Sequence, residues 1–330
     1  MPARKTEQQI PAGLTAGDLG QEVAATDGRC ALISFIQSPL AVNRENGYVV
    51  FTTDAALAAD AESFEWTFTL NGGTPDVHTT DRGEIFFSPS DTGALSMAVR
   101  ILDNGNAEQA SLELAQEVVV LNAELEALID NSANDEGPSI SNPDVARELV
   151  NDHNPYYQNV ALQVPEADDA FQRFVFSMVF DGALARSPAQ RKQHLDQLAT
   201  ALNGGDADFV ALTAEGAGAC GIRLPLLAMV IGTPTPQLAW TELPDTAEQR
   251  GSADEQLREA LAALDEEVRI DLFNLARFPK SNITRCAQII ETLRDHYFPG
   301  TTFNDVLTGM SGTRAHWITR HYNEGPLVRT

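Results

Sequence analysis

Three glycines in the stretch AEGAGACGIRLPLLAMVIG have the spacing of a dinucleotide-binding motif. Gly216, Gly218 and Gly221 follow the order G-x-G-x-x-G, which in such motifs joins a strand to a helix whose N-terminus faces a pyrophosphate. Here Glu215 would place a carboxylate against the phosphates, and Pro225 follows too early for a helix that continues. No alternation of strands and helices surrounds the stretch. We therefore expect these glycines to allow close packing, with the apolar residues after them filling a core.

Histidines, serines and carboxylates form no recognisable metal or catalytic motif. No H-E-x-x-H occurs, and His316 and His321 are spaced so that a helix would place them roughly 140° apart. Ser311 lies between glycines but has no strand before it that could build a nucleophile elbow. Because the chain has 47 acidic residues, neighbouring carboxylates are typical of solvated faces. The sequence thus predicts no catalytic residue, no metal site and no cofactor.

The C-terminal stretch GTRAHWITRHYNEGPLVRT is basic and aromatic, whereas the chain as a whole has 22 basic against 47 acidic residues. On a helix, residues four positions apart share a face, which groups aromatic and basic side chains together. We predict a docking surface for an anion or a protein partner, formed by Arg314, His316, Trp317, Arg320, His321 and Tyr322. The alternative is a helix that packs its tryptophan inward and pairs its arginines with the chain's own acidic helices.

Two kinds of secondary structure, strands and helices, must position the candidate residues named above. Before residue 124, short segments such as FEWTFTL and LSMAVRIL alternate apolar and polar residues, as half-buried strands do. Turn-forming residues separate them, and Asn104-Gly105 is typical of a hairpin turn. The spacing predicts an antiparallel β-sandwich.

The segments FEWTFTLNGG and SPSDTGALSMAVRILDNGN resemble the PKD-like branch of immunoglobulin-like domains. That branch has an aromatic-tryptophan-aromatic strand, a glycine turn, and then an alternating strand that ends in Asp-x-x-Gly. The resemblance covers residues 25–123 and implies an interaction or spacer module, since such domains are seldom catalytic. The remainder of the chain resembles no family that we recognise.

After residue 142 the apolar period becomes that of helices. Phe171, Phe174, Val175 and Met178 indicate a buried helix, and leucines at steps of three and four indicate a long helix over 252–278. Another helix is predicted over 281–298. The fold class we predict is multidomain, all-β plus all-α. Its parts are a polar N-terminal arm (1–24), an immunoglobulin- or PKD-like β-sandwich (25–129), a linker (130–142) and an α-helical domain (143–330).

Charge and composition exclude several classes of partner. A net charge of −25 repels nucleic acid and anionic membrane surfaces, and no apolar run is long enough for a membrane helix. The three cysteines, Cys30, Cys220 and Cys286, are far apart and read as buried thiols without a disulfide. Since no signal peptide is evident, we expect a soluble product made in the cytoplasm, either retained there or carried in a virion or released particle.

Three functions fit these observations. The first is a non-catalytic structural or assembly protein of the virion, phage-tail or injection-system type, held by its arm and C-terminal surface to protein subunits, copies of itself included. The second is a secreted or injected enzyme or toxin that acts on cell wall or another substrate through its helical domain, with the sandwich as a targeting module. The third is a ligand-binding regulator, which would need a phosphate at the glycine stretch. We favour the first.

Overall fold

The chain contains both β-sheets and α-helices, in two compact units. Among the residues that the structure describes, those before residue 121 belong to the first unit and those from residue 171 onward to the second. The predicted linker and the start of the predicted helical domain lie outside the described residues. The computed structural model describes residues 10–11, 13–43, 45–120, 171, 174–175, 178, 193–200, 216–231, 238–239, 263–308, 313–324 and 327–328.

The first unit is built of strands with one short helix. The helix α1 (Ala55–Asp60) begins where the Asp54 carboxylate accepts a hydrogen bond from the Leu57 N–H group, at 2.7 Å. The strands are β1 (Gln21–Ala24), β2 (Cys30–Ser34), β3 (Leu40–Ala41), β4 (Asn46–Thr52), β5 (Ser63–Leu70), β6 (Asp76–Thr80), β7 (Glu84–Phe87), β8 (Gly93–Leu102) and β9 (Glu108–Val119).

These strands form two sheets that share one core. The strand order is β1-β2-β4-β7 in the first sheet and β3-β9-β8-β5-β6 in the second, and β3–β9 is the parallel pair. Alternation along the strands puts one face of each sheet inward, where Tyr48 and Val50 from one sheet meet Trp66 and Met97 from the other. Burying each such apolar side chain contributes about 1.5–3 kcal/mol, so this core holds the unit together. The predicted strands in FEWTFTL and LSMAVRIL are confirmed as β5 and β8.

A buried polar network fixes the edge strand β1 to β9. The Tyr48 hydroxyl donates to Oε1 of Gln116 at 2.7 Å, and Nε2 of Gln116 donates to Oε1 of Gln21 at 3.0 Å and to Oγ of Ser34 at 3.1 Å. Nδ2 of Asn46 also donates to Oγ of Ser34, at 2.7 Å. Burial raises the pKa of Tyr48, which keeps its hydroxyl a donor. Each polar group thus has a partner, as burial requires.

The turn between β8 and β9 is the hairpin that Asn104-Gly105 predicts. Oδ1 of Asp103 accepts hydrogen bonds from the N–H groups of Gly105, at 2.8 Å, and of Ala107, at 2.9 Å. Asn106 adopts the left-handed conformation with φ of 61°, which asparagine tolerates better than most residues. The tip is exposed and its role is to connect the two longest strands of the unit.

The N-terminal arm is shorter than the sequence indicates. A 3-10 turn (Ala16–Asp18) and β1 both fall within residues 1–24, and β1 pairs with β2 over its full length. Leu19 is fully buried at 0% exposure. The arm assignment is therefore wrong for residues 16–24. The sequence QEVA gives no apolar alternation because this edge strand is only half-buried.

The described part of the second unit is mostly helical. Phe171, Phe174, Val175 and Met178 are helical and buried, as predicted, and residues 193–200 are helical. The named elements are α2 (Leu224–Val230), α3 (Glu266–Arg277), α4 (Pro279–Tyr297), α5 (Phe303–Thr308) and α6 (Thr313–Glu324), with the strands β10 (Leu238–Ala239) and β11 (Leu327–Val328). The antiparallel pair β10–β11 was not expected from the sequence.

The long helix predicted over 252–278 is not continuous. Residues 263–265 are a turn, a bend and an extended residue, and α3 begins after Asp265, whose φ of −59° and ψ of 149° are not helical. Its first turn carries Glu266 and Glu267, which suit a helix N-terminus. Apolar spacing persists across the break because Leu264 is buried like the leucines of α3. Periodicity therefore predicts the buried face and misses the interruption. Among the helices that the structure describes, none is long and apolar enough to cross a membrane.

Candidate functional site

The three glycines of the G-x-G-x-x-G stretch form a tight, buried turn. Gly216, Gly218 and Gly221 have φ values of 69°, 73° and 59°, all in the left-handed region. Ala217 and Ile222 exchange backbone hydrogen bonds across the turn at 2.7 and 2.9 Å, and the Gly221 N–H group donates to the Gly218 carbonyl at 3.3 Å. These N–H groups are therefore used within the turn, whereas a phosphate cradle would present them to a ligand.

Asn282 of α4 fixes this turn against the helices. Its Oδ1 accepts the Cys220 N–H group at 2.8 Å, and its Nδ2 donates to the carbonyls of Ala217 at 3.0 Å and Ala276 at 2.8 Å. The approach is so close that a Cβ on Gly218 would lie 2.1 Å from the Ala276 carbonyl oxygen. Gly218 thus makes the close packing contact that we expected of the glycines, and a Cβ on Gly216 would lie 2.3 Å from the Gly221 carbonyl oxygen, whereas one on Gly221 would meet nothing within 4 Å. The apolar residues after them fill the core, since Leu224, Leu226 and their neighbours in α2 are buried.

Two thiols and a phenol lie beneath the same turn. Cys220 and Cys286 are free and buried, and the Tyr322 hydroxyl donates to the Cys220 carbonyl at 3.0 Å. Burial raises the pKa of Cys220, and the neighbouring Cys286 thiol raises it further. Burial likewise raises the pKa of Tyr322. Because nucleophilic cysteines need a lowered pKa, Cys220 behaves as a packed thiol, as predicted for all three cysteines.

A partly exposed aromatic patch joins the end of α4 to the start of α6. We define it by Tyr297, Phe298, Arg314 and Trp317. The rings of Tyr297 and Trp317 make an edge contact with centroids 6.3 Å apart and planes at 77°. The Arg314 guanidinium lies over the Phe298 ring, 5.6 Å from its centroid. All four side chains are neither fully buried nor fully exposed, so they combine apolar surface with access from solvent.

Two buried arginines of this unit also place their guanidinium groups over aromatic rings. Arg277 lies over the rings of Phe273 and Phe278, at 5.0 and 4.8 Å, and Arg294 lies over Phe303 at 4.5 Å. Arg277 and Arg294 are 3% and 4% exposed, whereas Arg314 is partly exposed. Arg314 is therefore the one of these three that can also reach a partner.

The structure brings together part of the predicted docking surface. Arg314 and Trp317 are in the aromatic patch, while Tyr322 points into the core with 1% of its surface exposed, beside Ile318 at 0%. Tyr322 therefore anchors α6 and is not a surface contact. His316, Arg320 and His321 lie on the helical backbone of α6, and their side chains lie outside the described residues.

Sequence reasoning missed the contribution of α4 to this surface. Tyr297 and Phe298 follow the exposed His296, whose ring meets that of Tyr297 edge-on with centroids 4.7 Å apart. The sequence signal for this contribution is the pair Tyr297-Phe298, directly before Pro299-Gly300. Proline and glycine end α4 at this point, so both rings lie near solvent. Burial of the Tyr297 phenol raises its pKa to about 12.

Within the part of the chain that the structure describes, no group of three or more His, Cys, Asp or Glu side chains is placed to hold a metal ion. Ser311 lies outside those residues. Comparison with known proteins gave no match either: no protein-family model fits the chain, and no curated protein is significantly similar to it.

Proposed function

We propose that this chain is a non-catalytic structural or assembly component of a larger protein complex. In this proposal, residues 25–129 are an immunoglobulin-like module of the PKD-like kind, residues 143–330 are a helical domain, and the aromatic patch docks a protein subunit. The observation that carries the proposal is the aromatic patch itself, where Trp317 and Arg314 are held beside Tyr297 and Phe298 while still accessible.

Strand order supports the immunoglobulin-like part of the proposal. In such domains the first, second and fifth main strands share one sheet, and the third, sixth and seventh share the other. The sets β2-β4-β7 and β5-β8-β9 match this division. A buried tryptophan on the third main strand is a further mark of that fold. Trp66 of β5 has 0% exposure, and its indole N–H group donates to Oγ1 of Thr80 at 2.8 Å.

Residue chemistry supports docking to protein at the aromatic patch. Tryptophan, tyrosine and arginine are the residues most enriched among those that contribute most to the binding energy of protein interfaces. The two aromatic residues bury large surfaces at small entropic cost. Arg314 also brings a positive charge to a chain with a net charge of −25. An acidic protein surface would gain from that charge, whereas nucleic acid would be repelled by the rest of the molecule. The partners we propose are therefore protein subunits, including other copies of this chain.

The experiment that tests the proposal is native mass spectrometry of the full chain isolated from the cells that make it. We expect a stoichiometric complex well above the 35.7 kDa of one chain. Trp317→Ala and Arg314→Glu should each reduce the share of chain in that complex at least about tenfold, as loss of an interface anchor does. Ile318 and Tyr322 are buried and should keep α6 folded in both variants.

Two control variants separate docking from folding. Trp317→Phe keeps a ring beside Tyr297 and should retain most of the complex. Glu267→Lys changes charge at an exposed position of α3 and should leave the complex intact. A chain that is monomeric when isolated from its own cells, or a complex insensitive to Trp317→Ala and Arg314→Glu, would contradict the proposal.

A further inference from the structure

Strand β6 is an open edge of the five-stranded sheet. It pairs with β5 on one side and has no strand on the other within the described residues. Asp76, Val77, His78 and Thr79 are all exposed, and Val77 keeps 54% of its surface open to solvent. An edge strand of this kind presents unpaired backbone N–H and C=O groups, which another strand can pair with.

The two faces of β6 differ in character. Register with β5 puts Thr80 opposite Phe64 and His78 opposite Trp66, so even-numbered residues face the core side. The His78 ring there contacts Phe68, with centroids 6.1 Å apart, and its Nε2 lies 3.1 Å from the Asp76 carboxylate. Val77 and Thr79 face outward beside Thr67 and Glu65 of β5. The outward face therefore carries exposed β-branched side chains on a strand without lysine or proline.

We infer that β6 pairs antiparallel with β6 of a second copy of this chain, extending the sheet across a two-fold axis. A two-fold contact uses the same surface on both partners. The residues of β6 must therefore fit against the symmetry-related residues of the other β6. Centred on His78, the pairing sets the two His78 side chains opposite each other, each beside its own Asp76 carboxylate. It also sets Val77 opposite Thr79 of the second copy and Asp76 opposite Thr80. These last two pairs bring no like charges together, and the exposed Val77 gains a β-branched neighbour.

Repulsion at this edge is small, although each copy of the chain carries a net charge of −25. In this register the two Asp76 carboxylates are about 14 Å apart, four residues along the strands, which exceeds the Debye length of about 8 Å at physiological salt. Each Asp76 carboxylate also keeps its contact with Nε2 of His78, at 3.1 Å. The contact area of two five-residue strands is below that of a standard interface, so we expect a monomer–dimer equilibrium rather than a permanent dimer.

Sedimentation equilibrium of the purified full chain over a concentration series tests the inference. The mean mass should rise from 35.7 kDa toward twice that value as concentration increases. Val77→Lys puts a charge on the edge, as natural edge strands do to prevent pairing. We expect it to weaken dimerisation at least about tenfold. Thr67→Lys makes the same charge change on the same face but on the interior strand β5, and should dimerise like the unmodified chain.

A cross-link locates the two-fold axis. His78→Cys places two thiols across the axis at a separation that suits a disulfide. With oxidised glutathione as the oxidant, the two thiols form one intermolecular S–S bond and glutathione is reduced to its thiol. We expect a covalent dimer from His78→Cys and little from Asp76→Cys, which faces Thr80 of the other copy. The chain's own Cys30, Cys220 and Cys286 are buried and should not contribute.

Several results would overturn the inference. These are a mass of one chain at every concentration, equal dimerisation of Val77→Lys and the unmodified chain, loss of dimer in Thr67→Lys as well, or no covalent dimer from His78→Cys. Loss of the dimer in Trp317→Ala would also overturn it, because self-association would then run through the aromatic patch. That last result would favour the function proposed above, so the two proposals fail separately.

Discussion

At the scale of single residues, a glycine's role depends on what surrounds its missing side chain. Gly218 and Gly221 have similar positive φ values of 73° and 59°. A Cβ on Gly221 would meet nothing within 4 Å, whereas one on Gly218 would lie 2.1 Å from the Ala276 carbonyl oxygen and 2.3 Å from Nδ2 of Asn282. The spacing in the sequence treats the two positions alike, and only the packing distinguishes them.

This contrast gives a matched pair of substitutions. Gly221→Ala should cost about 1–2 kcal/mol of unfolding free energy, the ordinary penalty for a left-handed residue with a side chain. Gly218→Ala should cost clearly more, since its methyl group must displace backbone and break the hydrogen bonds of Asn282. Urea unfolding followed by circular dichroism measures both. Equal losses for the two variants would show that the turn is not packed against α3 and α4 as described.

At the scale of elements, residues 16–20, which directly precede β1, belong to the β-sheet unit. Leu19 is fully buried beside β1, and Leu14 is only partly buried. Thr15 and Asp18 close the 3-10 turn between them through hydrogen bonds of 2.7 and 2.8 Å. The turn contacts β1 and β2, and Leu19 is buried directly after it.

Truncation of this leucine tests the assignment. Leu19→Ala should lower the unfolding free energy by about 2–5 kcal/mol, the range for a buried leucine that leaves a cavity. Leu14→Ala should lower it by less, because much of that side chain already contacts water. Thermal unfolding of the full chain compares the two. If both substitutions were neutral, residues 16–20 would behave as the free arm that the sequence indicated.

The burial pattern of a strand or helix decides whether the sequence can predict it. β5 and β8 bury alternate residues, so their period of two is visible in FEWTFTL and LSMAVRIL. β6 is exposed on both faces and β1 is half-buried, so neither leaves a pattern. α4 was predicted almost to its bounds because its apolar face is long. The break before α3 escaped notice because Leu264 continues the apolar spacing through a non-helical segment.

The same reasoning explains the candidate site. Composition pointed to α6, because basic and aromatic residues gather there in an acidic chain. It could not reveal that Tyr322 faces inward, nor that Tyr297 and Phe298 complete the surface, since both depend on how α4 and α6 contact each other.

At the scale of the whole molecule, alkaline pH should destabilise the fold. Folding raises the pKa of Tyr297 to about 12, and burial also raises those of Tyr48 and Tyr322. An unfolded tyrosine ionises near pH 10. The stability that these neutral phenols contribute is therefore complete below about pH 10 and is lost as pH rises through the folded pKa values.

Urea midpoints at pH 8, 10 and 11 measure this loss, and Tyr297→Phe should lessen the decline. Growing negative charge also destabilises an acidic chain, but salt screens repulsion between exposed charges far more than it affects a buried phenol. The decline should therefore persist at about 1 M salt. If high salt removes the decline in the urea midpoint, or if Tyr297→Phe leaves the decline unchanged, the net charge of the chain is its cause instead.

The tip of the β8–β9 hairpin is a suitable place to insert a marker. This tip, Asn104 to Ala107, is exposed and is held by hydrogen bonds to Asp103 and Gln109, on a hairpin that uses neither β6 nor the aromatic patch. A short epitope or a lanthanide-binding tag inserted after Gly105 would add loop at small entropic cost. Such a marker would let microscopy or paramagnetic NMR locate each copy of the chain inside the complex that we propose.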